Sequence, residues 1–234
     1  MIGIIGAMEE EVVILRDLIT NPKKLKFSQI EFSQGMLFGK EVVLVKSGIG
    51  KVNAAMTTTI LLEKFEITEV INTGSAGGIK EDAEVGDVVV SESVTYHDVD
   101  VTGFGYKRGQ VPGLPDVFQS DKGLLEKVEQ ALEKTGTRHF KGQVITGDAF
   151  VHRPEQMDQI KANFPEAVAL EMEAAAIAQV CHLQDVPFVV VRALSDIAGK
   201  KSEVSFEAFL PKAAEASSKM IVELMKGLSE WCRC

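Results

Sequence analysis

Seven short runs rich in valine and isoleucine constrain the fold of this chain more than any other feature. They are MIGIIG, EVVLVKSG, EVINTG, GDVVVSESV, KGQVITGD, AVALEM and PFVVVRALSD. Continuous apolar runs of this length are typical of strands buried on both faces of a sheet. Helical patterns separate several of them, at residues 9–19, 51–65, 120–135, 153–164, 173–184 and 206–231. Strands that alternate with helices predict an α/β fold with a central mixed or mostly parallel sheet flanked by helices.

The chain is predicted to form one domain. Its 234 residues fit one large domain or two small ones, so length alone does not decide. No serine- or glycine-rich linker and no internal repeat divides the sequence. We therefore expect a single domain spanning residues 1–234.

Charge and cysteine content exclude several classes of function. The formal net charge of -9 argues against a protein that coats nucleic acid or an anionic membrane, because both require basic surfaces. We expect no signal peptide, and no apolar run approaches the roughly 20 residues of a membrane span. Three cysteines, Cys181, Cys232 and Cys234, give neither a disulfide framework nor a zinc pattern. A cytoplasmic protein is expected, with Cys181 as a small core residue.

One long segment, residues 96–118, interrupts the alternation of strands and helices. It reads YHDVDVTGFGYKRGQVPGLPDVF and combines aromatic residues, glycines and prolines without a helical period. Long irregular connections in compact domains are usually functional or disordered. Two interpretations stay open from the residues alone. The segment either packs on its own domain, or it lines a site or contacts a partner subunit.

Glycine-rich stretches in the sequence do not form a recognised phosphate-binding motif. SGIGK at 47–51 fails the Walker pattern, and GIIGAM at 3–8 fails the dinucleotide pattern G-x-G-x-x-G. GSAGG at 74–78 is predicted to be a tight turn between elements, and a cradle for an anion or a hydroxyl is the alternative.

Acidic residues follow several of the predicted strands, where ligands bind in open α/β sheets. They are Glu9, Glu10, Glu11, Asp148, Glu171, Glu173 and Asp196. Taken singly, each is explained by a helix start or an N-cap. Taken together, two or three carboxylates around one pocket suit cleavage of a glycosidic bond. A divalent metal is the weaker alternative, because the four histidines have no ligand spacing.

Seven motifs resemble, in order and spacing, the bacterial 5′-methylthioadenosine/S-adenosylhomocysteine nucleosidases. They are GIIGAMEEEV, KSGIGKVNAA, NTGSAGGI, YHDVDVTGFGYKRGQVPG, TGDAFV, ALEMEAAAIAQVC and VVVRALSDIAG. The similarity extends from Met1 to about Lys226. It implies a nucleoside-phosphorylase-like α/β fold in a homodimer. It also implies hydrolysis of the N-glycosidic bond of methylthioadenosine and adenosylhomocysteine, releasing adenine and the thioribose product, with no metal or cofactor.

The resemblance also implies roles for the polar residues. Glu11 corresponds to the general base that activates water, and Asp196 to the general acid that protonates N7 of adenine. Ser195 corresponds to the residue that orients this acid. Glu173 corresponds to the acid that binds the ribose hydroxyls, and Arg192 to an arginine near the catalytic water.

The remaining residues implied by the resemblance surround the substrate. Those along the sugar, the purine and the water are Met172, Ser75, Ala76, Gly77, Phe150 and Val151. Those forming the walls of the 5′-alkylthio pocket are Met8, Ile49 and Phe206. Those supplied by the neighbouring subunit are Val101, Phe104, Tyr106 and Pro112.

Two other functions compete with hydrolysis. A phosphorylase of the same fold would need cationic groups for phosphate, whereas the run Glu9–Glu11 would repel a dianion. A sensor protein would keep the pocket and lose catalysis, although all three implied acids are present. In the hydrolase, Glu11 is expected to be catalytic, while Glu9 and Glu10 mainly complement the helix dipole. The tail SEWCRC, residues 229–234, receives no role.

Overall fold

All strands of the described chain belong to one mixed sheet of ten strands. This computed structural model describes residues 1–198 and 202–231, without the side chains of 202–205 and 229–231. The strands are β1 (Ile2–Gly6), β2 (Thr20–Phe27), β3 (Ile30–Leu37), β4 (Lys40–Lys46), β5 (Glu69–Gly78), β6 (Val88–Tyr96), β7 (Phe118–Gln119), β8 (His139–Thr146), β9 (Ala167–Glu171) and β10 (Phe188–Ile197). Cys232 and Cys234 of the tail lie outside the described residues.

The sheet closes on itself at one end. Strand β10 pairs in parallel with β5 and antiparallel with β6, and β6 leads through β8 and β9 back to β5. These five strands therefore form a ring. The open remainder continues from β5 through β1 and β4 to the antiparallel β3 and β2.

Helices cover both faces of the sheet. They are α1 (Glu9–Leu18), α2 (Lys51–Lys64), α3 (Lys122–Thr135), α4 (Pro154–Asn163), α5 (Ala174–Leu183) and α6 (Ser202–Trp231). Helices α1 and α3 pack against α6, and α2 packs against α5. The neighbouring residues Ile4 and Ile5 of β1 are both fully buried, in two different hydrophobic clusters. Burial on both faces explains the continuous apolar runs, because side chains alternate across a strand.

The α/β prediction, with a mixed sheet flanked by helices, is confirmed. All six predicted helices are present within a few residues of their predicted ends. The hairpin β2–β3 was not predicted, because β2 reads TNPKKLKF and its first five residues are exposed, leaving no apolar signal. The single-domain organisation stays a prediction.

Two local predictions are wrong. GSAGG is not a tight turn, because these residues form the second half of β5, where Gly74, Ser75 and Ala76 pair with consecutive residues of β10. Asp196 is not an N-cap, because it lies within β10. In both cases strand pairing in the interior of the ring overrides a local signal for a turn or a cap.

The segment 97–117 between β6 and β7 is irregular, as predicted, except for a 3-10 turn at Thr102–Phe104. Phe104 at this turn is 86% exposed. Within residues 1–198 and 202–231, no helix is long and apolar enough to cross a membrane.

Candidate active site

A cavity of about 260 Å³ opens at the carboxyl ends of several strands and at the start of α5. Its lining consists of Ala7, Met8, Glu11, Ile49, Ser75, Ala76, Gly77, Ala149, Phe150, Val151, Leu170, Glu171, Met172, Glu173, Ser195, Asp196, Ala198 and Phe206. Every site residue predicted within one subunit lies in this lining, except Arg192. The structure thus brings together residues that are up to about 200 positions apart in the sequence.

The three consecutive glutamates at the start of α1 have different surroundings. Glu9 has 47% of its side chain exposed and pairs with Arg16 and with Lys46, whose Nζ lies 3.0 Å away. The hydrogen bond from Arg16, followed by that from Lys46, lowers the pKa of Glu9 to about 2. Glu10 is exposed, whereas Glu11 is 1% exposed and faces the cavity. Only the third glutamate is therefore placed for chemistry.

Four hydrogen bonds fix the carboxylate of Glu11. Its Oε2 accepts from the backbone N–H groups of Ala7 at 2.7 Å and Met8 at 3.1 Å. Its Oε1 accepts from the N–H and the hydroxyl of Ser75 at 2.8 and 2.9 Å. The side chain thus connects the end of β1 to the middle of β5, and its orientation is set from both strands.

Gly74 provides the space that Glu11 occupies. Its φ is +151°, and a Cβ at this position would lie 2.7 Å from Oε1 of Glu11 and 2.5 Å from Nη1 of Arg192. Distances below 3.0 Å are essentially never seen for a real Cβ. The carboxylate of Glu11 and the guanidinium of Arg192 can therefore both lie against this point of β5, because Gly74 has no side chain.

Glu173, at the start of α5, is a second buried acid, 5% exposed. Its Oε1 accepts from the backbone N–H of Gly50 at 2.9 Å, and its Oε2 lies 3.6 Å from Nη2 of Arg192. Burial and the neighbouring Glu171 raise the pKa of Glu173 to about 8, against the opposing effect of Arg192.

Arg192 is not among the residues that line the cavity. It is fully buried behind the cavity, where Nη2 donates to Oδ1 of Asn72 at 2.7 Å and to Oε2 of Glu171 at 2.5 Å. Burial opposes its charge, but Glu171, Glu173 and Glu11 together hold its pKa above the ordinary value. Arg192 is thus the cation around which the acids are arranged.

Asp196 and Ser195 lie at a bulge near the end of β10. The pairing of β10 with β5 shifts register between Leu194 and Asp196, so both side chains of the bulge turn toward the cavity. The hydroxyl of Ser195 donates to Oδ1 of Asp196 at 2.9 Å, and both residues are buried. The serine is therefore placed to orient the carboxyl group of Asp196.

Apolar side chains form the mouth of the cavity. The rings of Phe150 and Phe206 lie edge to face, with centroids 5.8 Å apart, and Val151 is buried next to them. Ile49 is 51% exposed at the opposite wall. An apolar mouth around a polar interior suits a ligand with one apolar end.

The four residues predicted to serve a neighbouring subunit lie outside the cavity of their own chain. Val101, Phe104, Tyr106 and Pro112 belong to the irregular segment, where Phe104 and Pro112 are exposed. Asp148, the further candidate acid, does not line the cavity either. Its Oδ1 accepts from the N–H of Lys51 at 2.8 Å at the start of α2.

Glu171 is a polar residue of the lining that received no functional role from the sequence. Its position after AVAL was noted, but a helix start explained it. The structure shows a wider set of contacts, which extends to Thr146 and Arg192. The sequence signal that could have indicated a role for Glu171 is its position at the end of a strand, and the same signal indicated Glu173.

Comparisons with known proteins agree with this arrangement. The family model of the phosphorylase superfamily matches residues 1–226. A protein of Staphylococcus haemolyticus named 5′-methylthioadenosine/S-adenosylhomocysteine nucleosidase is 52% identical over 228 residues, which cover 97% of this chain and 100% of the relative. A nucleosidase structure from Colwellia psychrerythraea in complex with adenine has a TM-score of 0.95 at 46% identity, covering 97% of this chain and 95% of that chain. One from Neisseria meningitidis, with methylthio-immucillin-A, has a TM-score of 0.94 at 47% identity, covering 96% and 98%.

The chain therefore has the fold of the phosphorylase superfamily. Within it, the chain belongs to the 5′-methylthioadenosine/S-adenosylhomocysteine nucleosidase family.

Proposed function

We propose that this protein hydrolyses the N-glycosidic bond of 5′-methylthioadenosine and S-adenosylhomocysteine, releasing adenine and the thioribose product. The observation that carries the proposal is the charge of the cavity. Glu11, Glu173 and Asp196 line it, and none of the described lining residues is lysine, arginine or histidine. A site of this charge suits water as the nucleophile, because a phosphate dianion needs positive groups around it.

Each acid has a separate task in the proposed reaction. Glu11 takes a proton from water while the water oxygen forms a bond to C1′ of the ribose. The C1′–N9 bond breaks, its electron pair passes into the purine, and a protonated Asp196 gives its proton to N7, so that adenine leaves neutral. Glu173 binds the ribose hydroxyls, and in its ionised form it stabilises the positive charge that develops on the sugar.

Apolar residues supply the specificity for the 5′ end. Met8, Ile49 and Phe206 lie at the cavity wall, where a thioether gains from sulfur and aromatic contacts. In our proposal, Phe150 stacks on the purine and Val151 contacts the purine edge. Binding of this unreactive 5′ end strengthens the complex without entering the chemistry.

Adenine release with and without phosphate tests the proposal. Purified protein is incubated with methylthioadenosine in phosphate-free buffer and again with phosphate, and the sugar product is identified by mass spectrometry. Hydrolysis predicts equal rates and free methylthioribose in both buffers. Release only with phosphate, as a sugar 1-phosphate, would make the protein a phosphorylase. Binding of the nucleoside without release in either buffer would make it a sensor.

A homodimer is the proposed working form. Ile49 at the mouth and Val52 and Met56 on α2 are exposed apolar residues, as is Phe104 on the irregular segment. In our proposal, Val101, Phe104, Tyr106 and Pro112 of one subunit cover the mouth of the other. A cytoplasmic location is part of the same proposal, and the free buried thiol of Cys181 is consistent with it.

Subunit complementation tests the shared site. A Glu11→Gln subunit and a Phe104→Asp subunit are each expected to give impaired homodimers. Mixed dimers contain one cavity with both native residues, so mixing predicts recovered activity. A monomer in light scattering, or no recovery in verified mixed dimers, would contradict the shared site.

A further inference from the structure

Glu171 is a buried carboxylate with four donors. It lies at the end of β9, where its Oε2 accepts from the N–H groups of Glu173 and Ala174, each at 2.8 Å, and from Nη2 of Arg192 at 2.5 Å. Its Oε1 accepts from the hydroxyl of Thr146. The same hydroxyl accepts from the N–H of Ala175 at 2.9 Å. Glu171 is thus bound to both the start of α5 and the buried arginine.

Capping of α5 explains only part of these contacts. The bonds to Glu173 and Ala174 satisfy two N–H groups at the helix start, which a neutral Asn or Ser also does elsewhere. Capping does not explain a buried ion pair with Arg192. A carboxylate that only capped a helix would not need to lie beside the buried acid Glu173, where its charge is unfavourable.

We propose that Glu171 is a positioning residue for the reaction proposed above, and that its negative charge, by engaging Arg192 and the start of α5, fixes both the place and the charge state of Glu173. The inference rests on the proposed function for its consequence in catalysis. Its structural part, the control of Glu173, can be measured without turnover.

The charges around Glu173 show how this control operates. Glu171 from β9 and Glu11 from α1 both raise the pKa of Glu173, after burial as the first cause, while Arg192 from β10 and the N–H of Gly50 at the start of α2 lower it. The charge of Glu171 also affects two residues at the end of β6. It raises the pKa of Tyr96, and it opposes the lowering of the pKa of His97 by burial.

Arg192 lies closer to Glu171 than to Glu173. Nη2 lies 2.5 Å from Oε2 of Glu171 and 3.6 Å from Oε2 of Glu173. Because the closer acid engages the guanidinium, Glu173 keeps a carboxyl group that is free to bind hydroxyls of the sugar. Without the charge of Glu171, the nearest carboxylate partner of Arg192 would be Glu173, at 3.6 Å.

The variant Glu171→Gln separates charge from capping. An amide oxygen at the position of Oε2 still accepts from both N–H groups of α5, and the amide nitrogen can donate to the hydroxyl of Thr146. The substitution therefore removes the charge and the acceptor of the Thr146 hydroxyl proton, and it keeps an acceptor for both N–H groups of α5. Arg192 then pairs with Glu173, and we expect the pKa of Glu173 to fall by about one unit or more, the usual effect of an opposite charge in contact.

Carbon-13 NMR of protein labelled at the glutamate carboxyl carbons measures this shift. The signal of Glu173 is assigned as the one missing from Glu173→Gln. We expect it to titrate near pH 8 in the wild type and at least one unit lower in Glu171→Gln. In steady-state kinetics, the limb of the kcat/KM profile that Glu173→Gln abolishes should move to lower pH by the same amount.

A second helix cap provides the matched control. Asp121 caps α3, accepting from the N–H of Leu124 at 2.9 Å, and it is absent from the cavity lining. Asp121→Asn therefore removes a capping charge elsewhere, and it should lower stability slightly while leaving the pH profile and the Glu173 signal unchanged.

The outcomes separate the alternatives. An unmoved Glu173 signal in folded Glu171→Gln would reduce Glu171 to a helix cap and overturn the proposal. If Glu171→Gln does not fold, Glu171→Asp keeps the charge and predicts an unmoved signal, so a shift there would also overturn it. A wild type that releases no adenine would refute the proposed function, while the NMR titration would still decide the role of Glu171.

Discussion

Replacing Gly74 with alanine is the perturbation whose effect follows most directly from the coordinates. The added Cβ would lie 2.5 Å from Nη1 of Arg192, 2.7 Å from Oε1 of Glu11 and 2.8 Å from its Cδ. Neither neighbour can move freely. Glu11 is held by four hydrogen bonds, and Arg192 is fully buried among its partners.

The cost has two parts. An alanine at a positive φ is strained by about 1–2 kcal/mol. Displacing Glu11 breaks one or two hydrogen bonds to a charged group, at roughly 1.5–3 kcal/mol each. We therefore expect a loss of roughly 2.5–8 kcal/mol in the free energy of unfolding. Because the displaced acid is the proposed base, kcat/KM should fall by about 100-fold or more.

Gly39→Ala isolates the contribution of backbone strain at a positive φ. Gly39 has a φ of +81° in the turn between β3 and β4, and nothing lies within 4 Å of a Cβ there. Urea denaturation and adenine release are measured for both variants. We expect Gly39→Ala to lose about 1–2 kcal/mol and keep its activity. If Gly74→Ala matched Gly39→Ala in both measurements, the close packing of Glu11 and Arg192 against Gly74 would be refuted.

Two further predictions follow from the buried groups. Glu173 holds its proton up to about pH 8 when folded but releases it near pH 4.5 when unfolded, so its contribution to stability is present at low pH and is lost as pH rises through this window. The difference in unfolding free energy between wild type and Glu173→Gln, from urea titrations at pH 5 to 8, should therefore fall by up to about 1.4 kcal/mol per unit, and a constant difference would contradict the raised pKa. Burial raises the pKa of Cys181 to about 12, so peptide mapping after treatment of the native protein with iodoacetamide should find Cys181 unmodified; rapid modification would show that this part of α5 opens.

The sequence predicted the fold where burial on both faces leaves a continuous apolar run, as in β1. It failed where the residues of a strand face solvent. The exposed Lys23, Lys24 and Lys26 of β2 carry no apolar alternation. The closure of the ring between β5 and β10 was also beyond reach, because it depends on pairing between segments more than 100 residues apart.

For the site, the residues alone suggested acids at strand ends, and the family resemblance supplied their individual roles. The structure brings Glu11, Glu173 and Asp196 to one cavity, as the resemblance implied. Local reasoning could not find the arrangement of Arg192, which follows four apolar residues in β10, nor its ion pair with Glu171. The role of a charged residue in a buried strand can be inferred only when the positions of the carboxylates from other elements are known.

The assignment of Glu11 as the base is the central claim, and single-turnover release of adenine, with the enzyme at a saturating concentration in excess over methylthioadenosine, tests it most directly. Glu11→Gln is compared with Glu9→Gln, a change in the same helix turn at a residue that pairs only with Arg16 and Lys46 among the described contacts. The account predicts a loss of about 10²- to 10⁴-fold for Glu11→Gln and a rate close to wild type for Glu9→Gln. Equal rates for Glu11→Gln and wild type would contradict it.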